Sequence, residues 1–405
     1  MKKRFIAIVG GGFSGLCLAN LLEKNVRKDC VVFERLDRVG KKILATGNGR
    51  GNFSNRNLST ANYHTDDPFF VDKILKRYDN KVIEDFFMDL GVAATVEEDR
   101  VYPESLQANA LNDALRLSLL NTEIKTAETV ETIKKTSEGF LIGTSKGEYL
   151  FENVALCSGG MAAKNFGTDG SCYGIAKSLG HTVTELYPSL VQLRVDKEQT
   201  KGLKGVKRPA FVRLFDGEKT VAERRGDVLF SDGSVSGNTV FYLSSYVHGI
   251  KKPYLSIDFL PDASEDIIVS ALKRRREKYP SEQAAFLLSG VVHTAVATRI
   301  SKNLFDNKRL FDLTDNDLLR AVKELKSYRV DITGTGSFDN AQVTHGGVTA
   351  KEIDGETMMS RICRGLYFCG EIINVDGDCG GYNMHWAFAT ACAAAKSINE
   401  RFNNR

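Results

Sequence analysis

The stretch from residue 5 to residue 15 constrains the fold of this chain more than any other. Residues 5–9 form a short, continuous apolar run, which is the pattern of a strand buried on both faces. The run leads into a G-x-G-x-x-G motif between Gly10 and Gly15, and residues 16–23 then have the composition of a helix. A strand, a glycine-rich turn and a helix in this order predict the opening unit of a dinucleotide-binding α/β domain.

Each glycine of this motif has a separate physical role. Gly10 allows the tight turn, Gly12 lets the backbone approach a pyrophosphate, and Gly15 lets the helix pack closely on the strand. The next predicted strand, at 30–33, ends at Glu34, which lies 19 residues after Gly15, where a carboxylate can bind a ribose diol. A glycine-rich turn that only packs a helix on a strand is the alternative, but it leaves the position of Glu34 unexplained. Glu34 also argues against a 2′-phosphate, because two anions would repel each other there.

Composition is ordinary for a soluble globular protein of two or three domains. The chain has 405 residues, of which 42% are hydrophobic and 26% charged, with a formal charge of +4. This small charge means that a nucleic-acid or membrane role would require a local patch. No apolar run is long enough to span a membrane. The eight cysteines include no C-x-x-C pair, so we predict reduced thiols in a cytoplasmic protein and no metal site.

Two loops that are far apart in the sequence predict a large cofactor held at two places. Residues 35–55 are rich in glycine and small polar residues, which favours an extended loop against a ligand, although a mobile surface loop has the same composition. Residues 365–371 have the pattern of a strand ending in Gly-Glu, and 376–383 form a second glycine-rich loop before an alanine-rich helix at 384–402. FAD is long enough to need both loops, so FAD is favoured over NAD. The absence of a second G-x-G-x-x-G on a strand–helix unit argues against a separate NAD domain.

The segments between these loops predict further regular structure. Helical spacing of apolar residues occurs at 68–90 and 108–121. Short alternating strands with glycine turns occur at 123–126, 130–133 and 140–142, and we predict that they form a β-meander.

Five motifs spread along the chain occur together in one known family. They are Gly10-Gly11-Gly12-x-x-Gly15, Gly47-x-Gly49-Arg50-x-Asn52, Val343-Thr344-x-Gly346-Gly347-Val348, Gly365-Leu366-Tyr367-Phe368-x-Gly370-Glu371 and Asp376-Gly377-x-x-Gly380-Gly381-Tyr382-Asn383. In these motifs, and over nearly its whole length, the chain resembles the aminoacetone oxidase-type, BaiN-like family of FAD-binding NAD(P)/FAD-dependent oxidoreductases. The resemblance is much less specific for a substrate, since the family covers proposed amine oxidation and proposed reduction of steroid-like enones. Family members usually carry Cys where this chain has Gly51, so any role of that thiol is absent.

The resemblance implies an α/β fold with a FAD-binding Rossmann-like domain of the glutathione-reductase type, formed from both chain ends at 1–188 and 345–405. It implies an inserted β-barrel-like domain at 189–260 and 328–344, and a helical domain at 261–327. Together with the first glycine motif, it predicts the following FAD contacts: Gly10, Gly12, Ser14, Gly15, Glu34, Arg35, Lys42, Thr46, Gly47, Gly49, Arg50, Asn52, Val130, Ser158, Gly159, Gly370, Glu371, Asp376, Gly381, Tyr382 and Asn383.

His345 is the candidate catalytic acid or base. Histidine exchanges protons near neutral pH, and His345 lies in a glycine-flanked loop that should face the flavin, although a surface histidine is the alternative. The flavin performs hydride chemistry itself, so no protein nucleophile is required. For His385 and Trp386, beside the last glycine loop, packing is favoured over catalysis.

The expected partner is a small-molecule substrate that exchanges a hydride with the flavin, with NAD(P)H as a transient reductant. A second hypothesis is a FAD-dependent RNA-modifying or nucleic-acid-binding protein, because basic clusters occur at 201–208 and 273–278. Charge runs are usually solvated faces, and no RNA-binding motif with stacking aromatics is present, which argues against nucleic acid. A third hypothesis is a flavin sensor without turnover. The sequence leaves the oligomeric state open.

Overall fold

The computed structural model describes residues 2–405. Their contacts divide the chain into two compact units. The first contains the residues up to Pro188 together with Ala341–Arg405, and the second contains Ser189–Asn340. The second unit holds both the inserted strands and the helices of 261–327, and the three-domain division remains a prediction.

The first unit is built around a seven-stranded sheet whose centre is parallel. Across the sheet the strands follow the order Glu123–Lys125, Cys30–Phe33, Lys3–Val9, Gly147–Leu156, Gly139–Thr144 and Val130–Thr136, and Leu366–Phe368 pairs in parallel with the end of Gly147–Leu156. The central strands are buried along most of their length, as their continuous apolar sequences predict. The predicted FAD-binding α/β fold of the first unit is confirmed in its parallel sheet.

The helices of the first unit include one near each end of the chain. The first helix, Phe13–Leu21, and the C-terminal helix, Tyr382–Asn403, pack against each other. The other helices are Lys24–Lys28, Pro68–Leu75, Asn80–Asp89, Ala108–Leu117 and Ser171–Ser178, and shorter strands occur at Ser54–Asn55, Tyr63–Thr65, Ala94–Glu97, Arg100–Pro103, Val343–His345 and Val375–Gly377.

Three local predictions for this unit were wrong. The segment at 123–126 is not part of the meander, because Glu123–Lys125 pairs in parallel with Cys30–Phe33; a three-residue strand has the same local pattern in either arrangement. The helix predicted at 68–90 is two helices, because the Asp79 side chain accepts a hydrogen bond from the Val82 N–H and starts a new one. The loop at 35–55 is not extended throughout, since Ile43–Gly49 forms 3₁₀ turns.

The second unit contains a closed barrel of six strands, with a hydrophobic core of its own. The barrel confirms the predicted β-barrel-like insert. Its strands are Leu193–Val195, Lys207–Asp216, Lys219–Ser231, Ser234–Ser236, Pro253–Asp258 and Tyr328–Thr335, and the helices of the unit are Lys197–Thr200, Asn238–Ser244, Glu265–Lys278, Thr294–Phe305 and Asp315–Lys326. A further short strand, Tyr187–Ser189, lies where the chain enters this unit.

Candidate active site

Four of the segments predicted to bind a cofactor follow parallel strands of the same sheet. Parallel strands present their carboxyl ends at one edge, which is where open α/β sheets bind ligands. The predicted contacts at this edge are Gly10, Gly12, Ser14, Gly15, Glu34, Arg35, Ser158, Gly159, Gly370 and Glu371. Hydrogen bonds connect the segments directly: the Gly11 N–H donates to Glu34 at 3.0 Å, and the Ser14 hydroxyl donates to the Cys157 carbonyl at 3.4 Å.

The first glycine motif combines close packing with one open position. A Cβ at Gly10 would lie 2.5 Å from the Cys157 carbonyl oxygen, and a Cβ at Gly15 would lie 2.0 Å from the Gly10 carbonyl oxygen. A Cβ at Gly12 would meet no atom within 4 Å. Gly12 is also the N-cap of the first helix, and no side chain caps that helix. The site thus offers unpaired N–H groups beside open space, which fits a pyrophosphate.

Glu34 is held in place by the backbone around it. One carboxylate oxygen accepts from the Gly11 N–H at 3.0 Å and the other from the Leu36 N–H at 2.8 Å. Burial raises the pKa of Glu34, although these N–H donors and the nearby Arg35 and Lys41 oppose the shift. Each carboxylate oxygen has a second lone pair, so the group can still accept from a ribose hydroxyl.

The two loops of the predicted second contact region pack against each other. The Asn55 amide donates to the Gly380 carbonyl at 2.9 Å, and a Cβ on Gly381 would lie only 2.2 Å from the Ser54 carbonyl oxygen. Gly381 has φ +99° and is the N-cap of the C-terminal helix, again with no capping side chain. The segment after the 3₁₀ turns therefore lies directly against the C-terminal glycine loop.

Other predicted contacts already have protein partners. The Lys42 ammonium lies 2.9 Å from a Glu371 carboxylate oxygen, and the Asn52 amide donates to the Ser54 and Val101 carbonyls at 3.0 Å each. The other predicted contacts with protein partners are Arg35, which pairs with Asp169; Arg50, which pairs with Glu97; Thr46, which donates to the Ile43 carbonyl; Tyr382, which donates to the Asn57 carbonyl; and Asn383, which bonds Gly377. Gly47 and Gly49 are exposed in the 3₁₀ turns, and Val130 is buried at the start of its strand.

His345 forms a histidine–carboxylate pair with Asp376. Its Nδ1 lies 2.7 Å from an Asp376 carboxylate oxygen, and the Asp376 side chain is 0% exposed, whereas that of His345 is 27% exposed. An ionised carboxylate can only accept a hydrogen bond, so beside an ionised Asp376 the Nδ1 atom carries the hydrogen and Nε2 is left for another partner. The structure thus gives the predicted catalytic histidine a partner of the right chemistry.

A second pair of this kind was not predicted. The His64 Nε2 lies 3.3 Å from a carboxylate oxygen of Asp378, which is 3% exposed. Burial opposes the charge on His64, but the hydrogen bond to Asp378 and the nearby Asp376 carboxylate outweigh it and raise the pKa of His64. The Asp-Gly-Asp sequence at 376–378 is visible in the chain, but His64, the partner of Asp378, lies 314 residues away and could not be paired with it from the sequence.

His385 and Trp386 are packing residues, as the sequence favoured. The His385 ring bonds the Ser54 hydroxyl at 2.9 Å and the Tyr78 carbonyl at 2.8 Å. Burial lowers the pKa of His385 to about 4, so this ring is neutral at physiological pH. Trp386 is 1% exposed, within the hydrophobic core of the first unit.

Comparison with known proteins gives one family over almost the whole chain. The model of the HI0933-like protein Rossmann domain matches residues 4–397. The chain belongs to this family. The 3-dehydro-bile acid delta(4,6)-reductase of Clostridium scindens is 34% identical over 98% of this chain and 99% of its own. The ribosomal RNA dihydrouridine synthase of Haemophilus influenzae is 26% identical over 97% of this chain and 98% of its own.

A solved structure shows the same fold for this HI0933-like chain. The structure of the 3-ketosteroid delta1-dehydrogenase of Sterolibacterium denitrificans aligns with 99% of this chain and over 100% of its own length, with a TM-score of 0.51 and 12% sequence identity. The predicted family and enzyme class are confirmed: the chain is an FAD-dependent oxidoreductase. Within residues 2–405, no helix is long and apolar enough to cross a membrane, and no group of three or more His, Cys, Asp or Glu side chains could hold a metal ion.

Proposed function

We propose that this enzyme transfers a hydride between flavin and a small organic substrate, and that the substrate is a carbon–carbon double bond conjugated to a carbonyl group. The observation that carries the proposal is the hydrogen bond of 2.7 Å between His345 and Asp376, within the unit that holds the predicted FAD contacts. Reduction of such an alkene adds a hydride to one carbon and a proton to the other. A histidine oriented by a buried carboxylate is suited to deliver that proton.

The residues of the first unit divide this work. The N–H groups that follow Gly12 would bind the pyrophosphate, and Glu34 would bind the ribose. Bound FAD supplies the hydride chemistry. Asp376 holds the His345 ring with Nδ1–H toward itself, so that Nε2–H can donate to the substrate carbon.

The printed name of the Clostridium scindens relative supports this substrate class, because it describes reduction of a dehydro bile acid at delta(4,6) positions. The two chains are 34% identical, and we propose for this enzyme the same class of substrate, a conjugated carbonyl compound. We also propose that NAD(P)H is the transient hydride donor and leaves before the acceptor binds, since the sequence has no second nucleotide-binding motif.

The experiment is anaerobic reduction of the bound flavin, followed by mixing with a panel of conjugated and isolated alkenes. We expect conjugated enones to reoxidise the flavin and isolated alkenes to leave it reduced. His345→Gln should slow reoxidation by roughly 10²–10⁴-fold, the usual contribution of a general acid, with FAD binding unchanged. The proposal would be wrong if no enone reoxidised the flavin, or if His345→Gln reoxidised it at the wild-type rate.

A second candidate is reduction of uridine in ribosomal RNA. It is favoured by the relatives from Haemophilus influenzae and Escherichia coli, which are named ribosomal RNA dihydrouridine synthases and match 97% and 98% of this chain. The 5,6 double bond of uracil is itself conjugated to a carbonyl, so the same acid would serve. Adding protein-free ribosomal RNA to the panel separates the candidates: reoxidation of the flavin by RNA, with a mass gain of two hydrogens on one uridine, would favour this function.

A further inference from the structure

His64, His345, Asp376 and Asp378 lie together in the first unit, on strands that come from distant parts of the sequence. His64 lies on Tyr63–Thr65, and Asp376 lies on Val375–Gly377. The two strands are antiparallel, and His64 is the direct cross-strand partner of Asp376. The ring centroids of His64 and His345 are 6.4 Å apart. We call these four residues the His–Asp network.

We propose that His64 is a positioning residue for His345: as an imidazolium, it balances the charge of the buried carboxylates of Asp376 and Asp378, so that Asp376 can fix the ring and the tautomer of His345. This inference rests on the proposed role of His345 as the proton donor. It assigns a role in the reaction to His64, a residue outside every motif that identified the family.

The first argument is the cost of burying two carboxylates together. Asp376 and Asp378 are 0% and 3% exposed, and they are separated by a single glycine. Two buried anions at this spacing repel each other and require cations or hydrogen-bond donors. His345 contacts Asp376 at 2.7 Å, His64 contacts Asp378 at 3.3 Å, and the Asn62 amide donates to Asp378 at 3.4 Å.

The backbone between the two carboxylates is itself fixed. The Asn383 side chain accepts from the Gly377 N–H at 2.8 Å and donates to the Gly377 carbonyl at 2.7 Å. Asn383 lies in the first turn of the C-terminal helix, directly after the glycine loop predicted to hold the flavin. The backbone that carries the two carboxylates is therefore fixed relative to that loop. What can change around them is the charge of the neighbouring His64 ring.

The second argument is the set of charges around His64. The groups that face it include Asp376 from the opposite strand, Asp378 directly after that strand, and His345 from Val343–His345. Tyr63, next to His64, lies near Asp378, and Tyr173, from Ser171–Ser178, lies near Asp376. Both tyrosines are buried, which raises their pKa values, so they stay neutral when His64 titrates. The raised pKa of His64 agrees with this anionic surrounding, and it keeps the ring charged through a wider pH range than a free histidine.

The experiment compares the wild-type holoenzyme with His64→Gln and His64→Lys. Glutamine can donate a hydrogen bond to Asp378 but carries no charge, whereas lysine restores the charge. His181→Gln is the matched control, because His181 is also a buried histidine paired with a carboxylate, Glu352, at 3.0 Å, but it lies outside the network. The first readout is ¹⁵N NMR of the six histidines in the oxidised holoenzyme, which reports charge and tautomer without turnover.

We expect His64 to be cationic at pH 6.5 in the wild type, and His345 to hold its proton on Nδ1. In His64→Gln the Nδ1 preference of His345 should weaken; in His64→Lys and His181→Gln it should be retained. The inference is overturned if wild-type His64 is neutral at pH 6.5, a measurement that needs no variant. It is also overturned if the tautomer of His345 is the same in His64→Gln as in the wild type.

The second readout is the pH dependence of kcat with an enone. Wild-type kcat should fall with rising pH for two reasons: the charge on His64 is lost, and the donor His345 must itself carry the proton that it transfers. His64→Gln should lack the first contribution, so that its pH profile differs from that of the wild type, and its kcat should be lower by about tenfold at pH 7, with KM unchanged, since a positioning residue contributes less than the acid itself. An unchanged pH profile would contradict the inference. If no enone is turned over even by the wild type, the proposed function fails, while the NMR result still decides the role of His64.

Discussion

Replacing Gly12 by alanine should separate cofactor binding from folding. Gly12 has φ −81°, which alanine adopts readily, and its added Cβ would meet no protein atom within 4 Å. Alanine is a poorer N-cap than glycine but reduces the freedom of the unfolded chain, so the two effects nearly cancel. We expect the melting temperature of the flavin-free variant to lie within about 4 °C of the wild type.

The same methyl group would occupy the space where we expect the pyrophosphate to approach the backbone. Forcing one extra methyl group into a filled site costs about 1–3 kcal/mol, which corresponds to roughly 5- to 150-fold weaker FAD binding. The assay is fluorescence titration of the flavin-free protein with FAD, together with the rise in melting temperature that FAD produces. That rise should shrink, because stabilisation by a ligand depends on its concentration relative to Kd.

The control is Gly174→Ala. Gly174 lies inside the helix Ser171–Ser178, and an added Cβ there also meets nothing within 4 Å. This variant should gain about 1 kcal/mol of helix stability and bind FAD like the wild type. Wild-type FAD affinity in Gly12→Ala would show that the pyrophosphate does not lie over Gly12, and would refute the placement of the cofactor at the first helix.

Four further outcomes follow from the structure. Glu34→Ala should weaken FAD binding by roughly ten- to a hundredfold in the same titration, because a charged hydrogen bond is lost; unchanged affinity would exclude the ribose contact. Gly381→Ala should lower the melting temperature of the flavin-free protein, because its φ of +99° and the Ser54 carbonyl at 2.2 Å leave no room for a Cβ, and a normal melt would contradict this geometry. The free energy of unfolding, measured in urea, should fall as the pH drops from about 6.5 towards about 4, because His385 takes up a proton in that range only in the unfolded state. The full decrease should be about 3 kcal/mol, and the His385→Gln variant should lack it. Steady-state kinetics with NAD(P)H and an enone should be ping-pong, with parallel double-reciprocal lines, whereas intersecting lines would indicate that both bind together.

The parts of the fold that the sequence predicts best are those specified by local chemistry. The strand at 5–9, the glycine turn and the first helix are contiguous, and their order along the chain is enough to predict the unit. The alanine-rich helix at 384–402 is likewise continuous, and the structure extends it only to Tyr382–Asn403. These elements require no knowledge of distant partners.

The parts that the sequence could not predict depend on pairing across long separations. Glu123–Lys125 is too short for its side-chain pattern to distinguish a parallel from an antiparallel neighbour. The contact between His64 and Asp378 spans 314 residues, and neither residue lies in a motif with its partner. His345 could be selected from its glycine-flanked loop, but its pairing with Asp376 required the structure.

The division of the first unit between the two ends of the chain sets the order of events during synthesis. Leu366–Phe368 pairs with the end of Gly147–Leu156, so that edge of the sheet stays open until the ribosome has added roughly 210 more residues, about 10–40 s at typical rates. The Ser189–Asn340 unit, with a core of its own, is complete on the ribosome before this strand exists. Because the C-terminal glycine loop is made later still, a nascent chain that lacks this loop has only the first of the two predicted FAD contact regions. We therefore expect tight flavin binding to begin only once that loop has been made, and we expect flavin shortage to leave chains with a folded barrel and an empty cofactor domain.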